Sequence, residues 1–545
     1  MSKVAQYLQE HLNGEVTSSV AVRRAFATDA SVLQVAPSVI VYPRGENDVR
    51  KTARFAWQLA ERGRVLPITA RGAGTDQAGA ALGTGLMLIF PAHMNRVLVF
   101  DNKSGNVTVE PGINYGKLQQ TLQTHGRFLP PYPASIEYST VGGAIGNNAS
   151  GEKSIKYGDT RNFVKTLRVV LANGEIIETG RINKRELNKK LGLSTFEGEV
   201  YRGMDALLEE YATVIDAMPR PVTKNSAGYD LRDIRRKDGS FDLTPLFVGS
   251  QGTLGIVTEA TMQTEPENPE TILYAAFFTS LQDAAKAISE LREMPDKPSA
   301  IEMVDEQLLR LVDQLSPNQL KDLLPHPLPK VVLLVEFDNG HPRTGKKIAK
   351  QVAKIFEKHA NDFQQETTPA EQAKLWRIRH ASATLSAHAE GNLRAVPVIE
   401  DGVVPPDQLE VYVTGIYQLF KKYQLNVAVW GHAGDGNLHV QPFLDLSQLG
   451  DRQKLFRLMD EYYRFVIKLG GTTSGEHGDG RLRAPYLPLV YGVEAYEVLQ
   501  KVKSIFDPYN ILNPGVKFDT TLDDLKTMLR QEYSLGNLHD HLPRT

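Results

Sequence analysis

Two glycine-laden runs in the second half of the chain constrain its folding most. Trp430-Gly431-His432-Ala433-Gly434-Asp435-Gly436-Asn437-Leu438-His439 is followed by Ser474-Gly475-Glu476-His477-Gly478-Asp479-Gly480. Glycines at this density allow tight turns and let a ligand come close to the backbone. The two turns offer His432, His439 and Glu476 as metal ligands, with His477 beside the last. Imidazole and carboxylate donors suit a borderline divalent ion such as zinc, iron or manganese. Three protein ligands leave coordination positions open, as catalytic sites do and closed structural sites do not. The plain alternative is a pair of turns that happen to carry histidines. Two such runs in one chain favour the metal.

Three more glycine-rich segments lie in the first half. They are Arg71-Gly72-Ala73-Gly74-Thr75-Asp76, the run 138–148 with Ser139, Thr140, Gly142, Gly143, Gly146 and Asn147, and the run 249–256 with Gly252, Gly255 and Ile256. Successive exposed backbone N–H groups in such loops form anion-binding concavities. Singly, each reads as an ordinary turn; three of them, each with Thr or Ser beside the glycines, point to a pyrophosphate cradle. The first has Gln77 where a dinucleotide fingerprint has its third glycine, so a nicotinamide-binding Rossmann domain is not expected. The run 340–347 imitates a P-loop, but Lys347 stands where a hydroxyl would bind magnesium, and nucleotide hydrolysis is set aside.

A chain of 545 residues is too long for one small core, and two or three domains are expected. A net charge of −2 gives no support for a nucleic-acid partner. The absence of cysteine excludes disulfides, thiolate metal sites, cysteine nucleophiles and cysteine-ligated iron–sulfur clusters within this chain. The N-terminus lacks the apolar core of a signal peptide, and apolar runs such as 331–335 are strand-sized, so no transmembrane segment is expected. A cytoplasmic location follows, with peripheral attachment at the inner face of a membrane left open.

Strand patterns fall at 39–43, 65–69, 106–110, 164–171 and 175–179, the last two joined by the hairpin signal Ala172-Asn173-Gly174. Helical spacing covers 46–62 and 114–125. The proline and acid cluster at 264–269 reads as a boundary. Beyond it, strands at 271–278 and 331–337 alternate with helices at 281–292 and 345–359, which predicts an α+β sheet domain with helices on one face. From about 482 the pattern is helical, and 522–545 reads as a helix with a polar tail.

Together these motifs resemble the FAD-linked oxidases of the vanillyl-alcohol-oxidase type, in the branch of D-2-hydroxyacid dehydrogenases. The residues that carry the resemblance run from about Ser38 to Phe518. They are 71–75, Pro130-Pro131-Tyr132-Pro133, 139–143, Lys156-Tyr157-Gly158-Asp159, 252–255, 432–439, 475–480 and Asn513-Pro514-Gly515. The resemblance implies an α+β fold with a two-part FAD-binding domain (1–266), an α+β cap domain carrying the substrate and metal site (267–481), and a helical C-terminal segment returning to the flavin (482–545). It implies FAD contacts from Arg71 to Asp76, at Pro131, Ser139, Thr140, Gly142, Gly143, Gly146, Asn147, Tyr157, Gly158, Gly252, Gly255, Ile256 and Asn513. Some relatives attach flavin to a histidine in the first glycine loop. This loop has none, so non-covalent FAD is expected.

The same resemblance implies a divalent metal on His432, His439 and Glu476, His477 as catalytic base, and Arg379 as both a catalytic residue and the clamp on the substrate carboxylate. Arg394 and Gln441 complete the implied substrate set. Ala383 stands where D-2-hydroxyglutarate dehydrogenases carry threonine, and Arg394 lies near the place of their lysine. Asp479, in place of an apolar residue, is most similar to long bacterial members in which a flavin half is fused to an iron–sulfur half. The chain ends where that second half would begin, so it is expected to be a stand-alone flavin subunit or a truncation. Its electron acceptor would be an iron–sulfur protein or a quinone. The expected reaction is oxidation of D-lactate or D-2-hydroxyglutarate to the 2-oxoacid with hydride transfer to flavin N5. The alternatives are an oxidase of glycolate or another alcohol, and a non-catalytic flavin-binding subunit of an iron–sulfur complex.

Overall fold

The β-branched run at 39–42 forms a strand in the first of three principal sheets. The computed structural model describes residues 2–219, 222–338, 342–382 and 392–535. Strands β1 (Glu15–Thr17), β2 (Val39–Tyr42), β3 (Ile68–Arg71) and β4 (Leu86–Ile89) lie in the order β1-β2-β4-β3, parallel except for β1. The helix Glu46–Ala60 crosses between β2 and β3, with Glu46 and Asp48 in its first turn, where the helix dipole favours acids. The strand expected over 65–69 begins only at Ile68. Pro67 has no N–H for the ladder, and its carbonyl instead accepts from the Leu86 N–H at 2.7 Å.

The second sheet is antiparallel. It comprises β5 (Val97–Asp101), β6 (Asn106–Val109), β8 (Val164–Val170), β9 (Ile176–Glu178) and β10 (Ile256–Gln263), in the order β5-β6-β10-β8-β9. A short ribbon pairs β7 (Arg127–Phe128) with β11 (Glu265–Pro266). Along β10 buried and half-buried residues alternate, as on a sheet with one covered face. The hairpin signal at 172–174 joins β8 to β9, with Gly174 at φ +86°.

Residues 267–271 lead to the third sheet. It contains β12 (Ile272–Phe278), β13 (Ala300–Asp305), β14 (Val331–Phe337), β15 (Asp362–Glu366), β16 (Arg394–Ala395), β17 (Gly402–Val403), β18 (Val427–His432) and β19 (Asn437–Leu444). Its order is β15-β12-β14-β13-β18-β19-β16, with β17 also paired to β19 and all pairs antiparallel. The expectation of helices on one face is corrected here. Tyr274, Ala276, Leu333 and Val335 pack under the helices Leu281–Arg292, Pro342–His359 and Leu409–Tyr423. Leu273, Ala275, Val332 and Leu334 pack under Glu306–Leu315 and Pro369–His380 on the other side. Both faces are covered, so β14 is apolar at every position but one and buried throughout, instead of alternating.

The P-loop-like run begins outside the described residues. From Pro342 it continues as a helix, on which Lys347 pairs with Asp296 at 3.2 Å. Ala383 also lies outside the described residues, as does the tail beyond 535. The helix Val493–Phe506 packs Val498, Leu499, Val502 and Phe506 against the core of the second sheet. The chain then runs back beside β3: the Ile68 N–H donates to the Ile511 carbonyl at 2.7 Å, and the Asn513 N–H to the Ile68 carbonyl at 2.8 Å.

This return is fixed by a buried ion pair. The Lys503 ammonium meets Asp507 at 2.5 Å and donates to the carbonyls of Thr253 and Leu512, both at 2.8 Å. Asp507 also accepts the N–H groups of Ile511 and Leu512. Removing one member of such a pair leaves an uncompensated buried charge, which costs about 3–5 kcal/mol. Asp507→Ala is therefore expected to lower the unfolding free energy by about that amount, read as a shifted urea midpoint at unchanged slope.

Candidate active site

The three glycine loops of the first half converge on one cleft. It is lined by Arg71 to Gln77, by Ser139, Thr140, Gly142, Gly143, Gly146 and Asn147, and by Gly252 and Gly255. Glu476 and His477 reach it from the second half of the chain. Gly142, Gly143 and Gly146 lie on the open side of the helix Val141–Asn147, while Val141, Ala144 and Ile145 are buried. A Cβ at Gly146 would meet only the Gln251 Cα, at 3.9 Å, so the cleft wall there is bare backbone.

The loops are tied to one another. Asp76 accepts from the Ala78 and Ala80 N–H groups and from Asn147 Nδ2 at 3.1 Å. Gln251 Nε2 donates to Asn147 Oδ1 at 3.0 Å and to the His477 carbonyl, while its Oε1 accepts the Gly480 N–H at 2.8 Å. Gln251 thus links all three loops to the second half of the chain, and sequence reasoning missed it. Its φ of +53° is unusual for a non-glycine residue.

Five of the expected cofactor residues stand elsewhere. Pro131 is buried away from the cleft lining. The Tyr157 hydroxyl donates to Asp338 at 2.7 Å, and Tyr157 and Gly158 line a separate polar cleft with Arg292 and Asp435. Ile256 belongs to the core under the first sheet. Asn513 braces the cleft from behind, donating to the carbonyls of Ala80 and Gln251 and accepting from Thr69 Oγ1. Arg71 lines the cleft, yet its guanidinium is spent beneath it on the carbonyls of Phe26, Thr28 and Ala81.

The ligand trio meets beside this cleft. His432 ends β18, and Gly436 turns the chain at φ +68° so that β19 brings back His439. A Cβ at Gly436 would stand 2.2 Å from the Val404 carbonyl oxygen. Glu476 Oε1 lies 3.1 Å from His432 Nε2, 3.3 Å from His439 Nε2 and 3.6 Å from His477 Nε2. The opposite edges of the rings face carboxylates. His432 Nδ1 is 2.8 Å from Glu302 Oε1, on the adjacent strand β13. His439 Nδ1 and His477 Nδ1 lie 3.4 and 2.6 Å from Glu400 Oε2. Asp401 shapes the second glycine run, accepting the N–H groups of Glu476 and His477 and the hydroxyl of Ser474.

Glu302, Glu400 and Glu476 each have a cation of their own, whereas Asp401 is held by N–H and hydroxyl donors. Arg379 Nε lies 2.5 Å from Glu302 Oε2, Arg483 pairs with Glu400, and Lys224 Nζ is 3.1 Å from Glu476 Oε2. Burial opposes ionisation of Glu302, but His432 and Arg379 outweigh it and hold the carboxyl at about 2. Burial likewise disfavours charge on His477, yet Glu400 and Asp401 prevail and push the imidazole up to about 10. His432 rises to about 9, against burial, chiefly through Glu302.

Arg379 is therefore not a free clamp: Nε is committed to Glu302, while Nη2 is buried and without a hydrogen-bond partner among the described residues. Gln441 lies two residues along β19 from His439, on the same face, and its buried Oε1 also lacks a partner. Arg394 stands apart. It is on β16 opposite Leu444, and its charge acts on Asp445.

The residues present fit a divalent ion. Two imidazole Nε2 atoms and one carboxylate oxygen converge, and His432 has a carboxylate hydrogen-bonded on its far side, the usual support of a metal-bound histidine. The glycine-walled cleft fits a flat, pyrophosphate-bearing cofactor.

Comparison with known proteins agrees with this geometry. Residues 37–180 match the FAD binding domain model, and residues 267–516 match FAD linked oxidases, C-terminal domain. Glycolate oxidase subunit GlcD of Bacillus subtilis is 32% identical over 505 residues, covering 92% of this chain and 93% of that protein. The chain belongs to the FAD-linked oxidase family. D-2-hydroxyglutarate dehydrogenase of Pseudomonas putida is also 32% identical, over 521 residues, covering 92% of this chain and 50% of that protein. The chain thus spans about half the length of that relative. D-lactate dehydrogenase of Anaerostipes hadrus is 29% identical over 459 residues, covering 83% of this chain and 84% of that protein. The fold is that of the vanillyl-alcohol-oxidase-type flavoproteins. 4-Ethylphenol oxidase from Gulosibacter chungangensis superposes with a TM-score of 0.69 at 16% identity, covering 95% of this chain and 97% of that one.

The chain carries the family's FAD binding domain, and the glycine-walled cleft can be tested sterically. Gly146→Leu has room within the protein itself and replaces a poor helix former. It is expected to leave the apo-protein's melting temperature unchanged or higher while abolishing flavin retention. Purified variant protein with the wild-type flavin absorbance would refute the assignment of this wall to FAD.

Proposed function

We propose that this chain oxidises a small D-2-hydroxyacid, D-lactate or D-2-hydroxyglutarate, to the 2-oxoacid. FAD would be held non-covalently in the glycine-walled cleft, and a divalent cation on His432, His439 and Glu476. The observation that carries the reading is the convergence of His432 Nε2, His439 Nε2 and Glu476 Oε1 at the wall of the FAD cleft, with His477 beside them. When bound, FAD supplies the hydride acceptor and the cation the Lewis acidity that eases loss of the hydroxyl proton.

The remaining work falls to side chains. His477 Nε2 takes the hydroxyl proton, and Glu400 behind Nδ1 stabilises the imidazolium that results. A base must begin unprotonated, and a cation held at Glu476 Oε1 disfavours the proton on His477 by like-charge repulsion. The buried Nη2 of Arg379, without a partner among the described residues, suits the substrate carboxylate. The C2 hydride leaves as the electron pair of the breaking C–H bond, and the hydroxyl proton goes to His477, so the 2-oxo group forms with charges balanced. The electrons would then pass to an acceptor such as an iron–sulfur centre or a quinone.

Glycolate is the second reading, favoured by the nearly full-length match to a glycolate oxidase subunit. A non-catalytic role is disfavoured by the complete set of His432, His439, Glu476 and His477. Among the described residues no helix is long and apolar enough to cross a membrane.

Anaerobic flavin bleaching, screened over D- and L-2-hydroxyacids with glycolate included, tests the proposal. Bleaching by a D-2-hydroxyacid is expected; bleaching by glycolate alone would replace the substrate, and none at all would remove the activity. His432→Ala and Glu476→Ala are expected to lose metal, measured by elemental analysis, and turnover, while keeping FAD. Loss of flavin with metal retained would show these residues in the wrong role. His477→Asn is expected to keep both FAD and metal while slowing flavin reduction by about 10²–10⁴-fold. Reduction near the wild-type rate would rule out the base.

A further inference from the structure

Glu476 divides its two oxygens. Oε1 faces the imidazoles, while Oε2 accepts from Ser150 Oγ at 2.7 Å and from Lys224 Nζ at 3.1 Å. The ammonium also donates to Ser150 Oγ at 3.0 Å. Lys224 is 6% exposed, and its segment is stitched to both glycine runs. The Thr223 hydroxyl donates to the Asp435 carbonyl, and Ser226 donates from its N–H to the Ser474 carbonyl and from its hydroxyl to the Gly475 carbonyl. The ammonium is therefore held in place from both sides. The proposed reaction gives this buried lysine no role.

We propose that Lys224 is a positioning residue that acts through Glu476, holding it as a one-oxygen ligand and neutralising it so that a cation bound there keeps its attraction for an incoming anion. This rests on the metal reading above. Glu302 and Glu400 are already balanced by Arg379 and Arg483. With Lys224 in place the third carboxylate is balanced too, and the charge of a divalent cation remains to be met by the carboxylate and oxygen of a 2-hydroxyacid. Without Lys224, Glu476 carries an uncompensated charge beside the cation, and only the Ser150 hydroxyl still keeps Oε2 from turning toward it. Two effects of opposite sign follow: the cation binds more tightly and the anion more weakly. A lysine that served only packing would weaken both when removed.

The test uses the FAD-loaded protein, with Mn²⁺ as the cation and oxalate as the anion. Free Mn²⁺ is followed by electron paramagnetic resonance, and oxalate is then titrated into the Mn²⁺-saturated protein and followed by the flavin spectrum. Lys224→Met keeps an unbranched side chain and removes the charge. It is expected to raise Mn²⁺ affinity and lower oxalate affinity, each by about tenfold. Lys224→Arg restores the charge and should return both toward wild type. Loss of both affinities in Lys224→Met, or no change in either, overturns the proposal. Should Lys224→Met fail to retain FAD, Lys224→Gln is read in the same two titrations against the same outcomes. Wild-type protein that takes up no Mn²⁺ overturns the metal reading together with the role of Lys224. Uptake by wild type with unchanged variant affinities overturns only the latter.

Discussion

Burying three carboxylates against three imidazoles is possible only because each carboxylate has a cation of its own. Glu302 has Arg379, Glu400 has Arg483 and Glu476 has Lys224. An isolated carboxylate moved out of water would take up a proton instead of ionising, and the imidazoles would lose the acceptors that orient them. The three cations come from three places: the helix Pro369–His380, the segment after the second glycine run, and the loop at 222–226. The site therefore forms only when the third sheet, its covering helices and the flavin-binding half are all in place. Breaking one buried pair leaves a charge unmatched, which gives the cluster a strong hold on the surrounding fold.

The coupling between the halves is mostly polar and local. Gln251 reaches from the third glycine loop to Asn147, to the His477 carbonyl and to the Gly480 N–H. Ser150 reaches from the second loop to Glu476. A shift in the loops that hold FAD would thus move the turn that carries Glu476 and His477. In the proposed hydride transfer donor and acceptor atoms must be aligned closely, so this linkage would matter alongside the identity of the base.

What was legible in the sequence was what lies close together along it. The glycine turns, the trio His432, His439 and Glu476, and the strands with clean patterns at 39–42, 106–109 and 331–337 all sit in short windows. Partners set by strand register did not. Glu302 faces His432 because β13 lies beside β18, a pairing no local pattern encodes. A signal was present, though: Glu302 interrupts the apolar run of β13 and is buried there. Lys224 and Gln251 carried no such mark. Tyr157 and Asn513 sit in motifs shared with the family, but motif membership does not say whether a side chain faces the cofactor or braces what does. Asn513 does the second. The one-sided helix layer failed for a related reason: β14 is apolar at six of seven positions and buried at all of them, which already argues for a sheet covered twice.

The site's unsatisfied groups carry the last step of the argument. A buried polar atom without a partner costs about 1–3 kcal/mol, so a fold tolerates few of them without cause. Arg379 Nη2 and Gln441 Oε1 are both buried and without a partner among the described residues, and both belong to the strand and helix neighbourhood of His432 and His439. One is a fixed positive donor and the other an acceptor. On the proposed reading the substrate carboxylate would complement the first, while the hydroxyl proton is the one His477 takes. Arg379 holds Glu302 through Nε and Glu302 faces His432, so on the proposed reading binding of the acid at Nη2 and orientation of the imidazole would depend on one side chain.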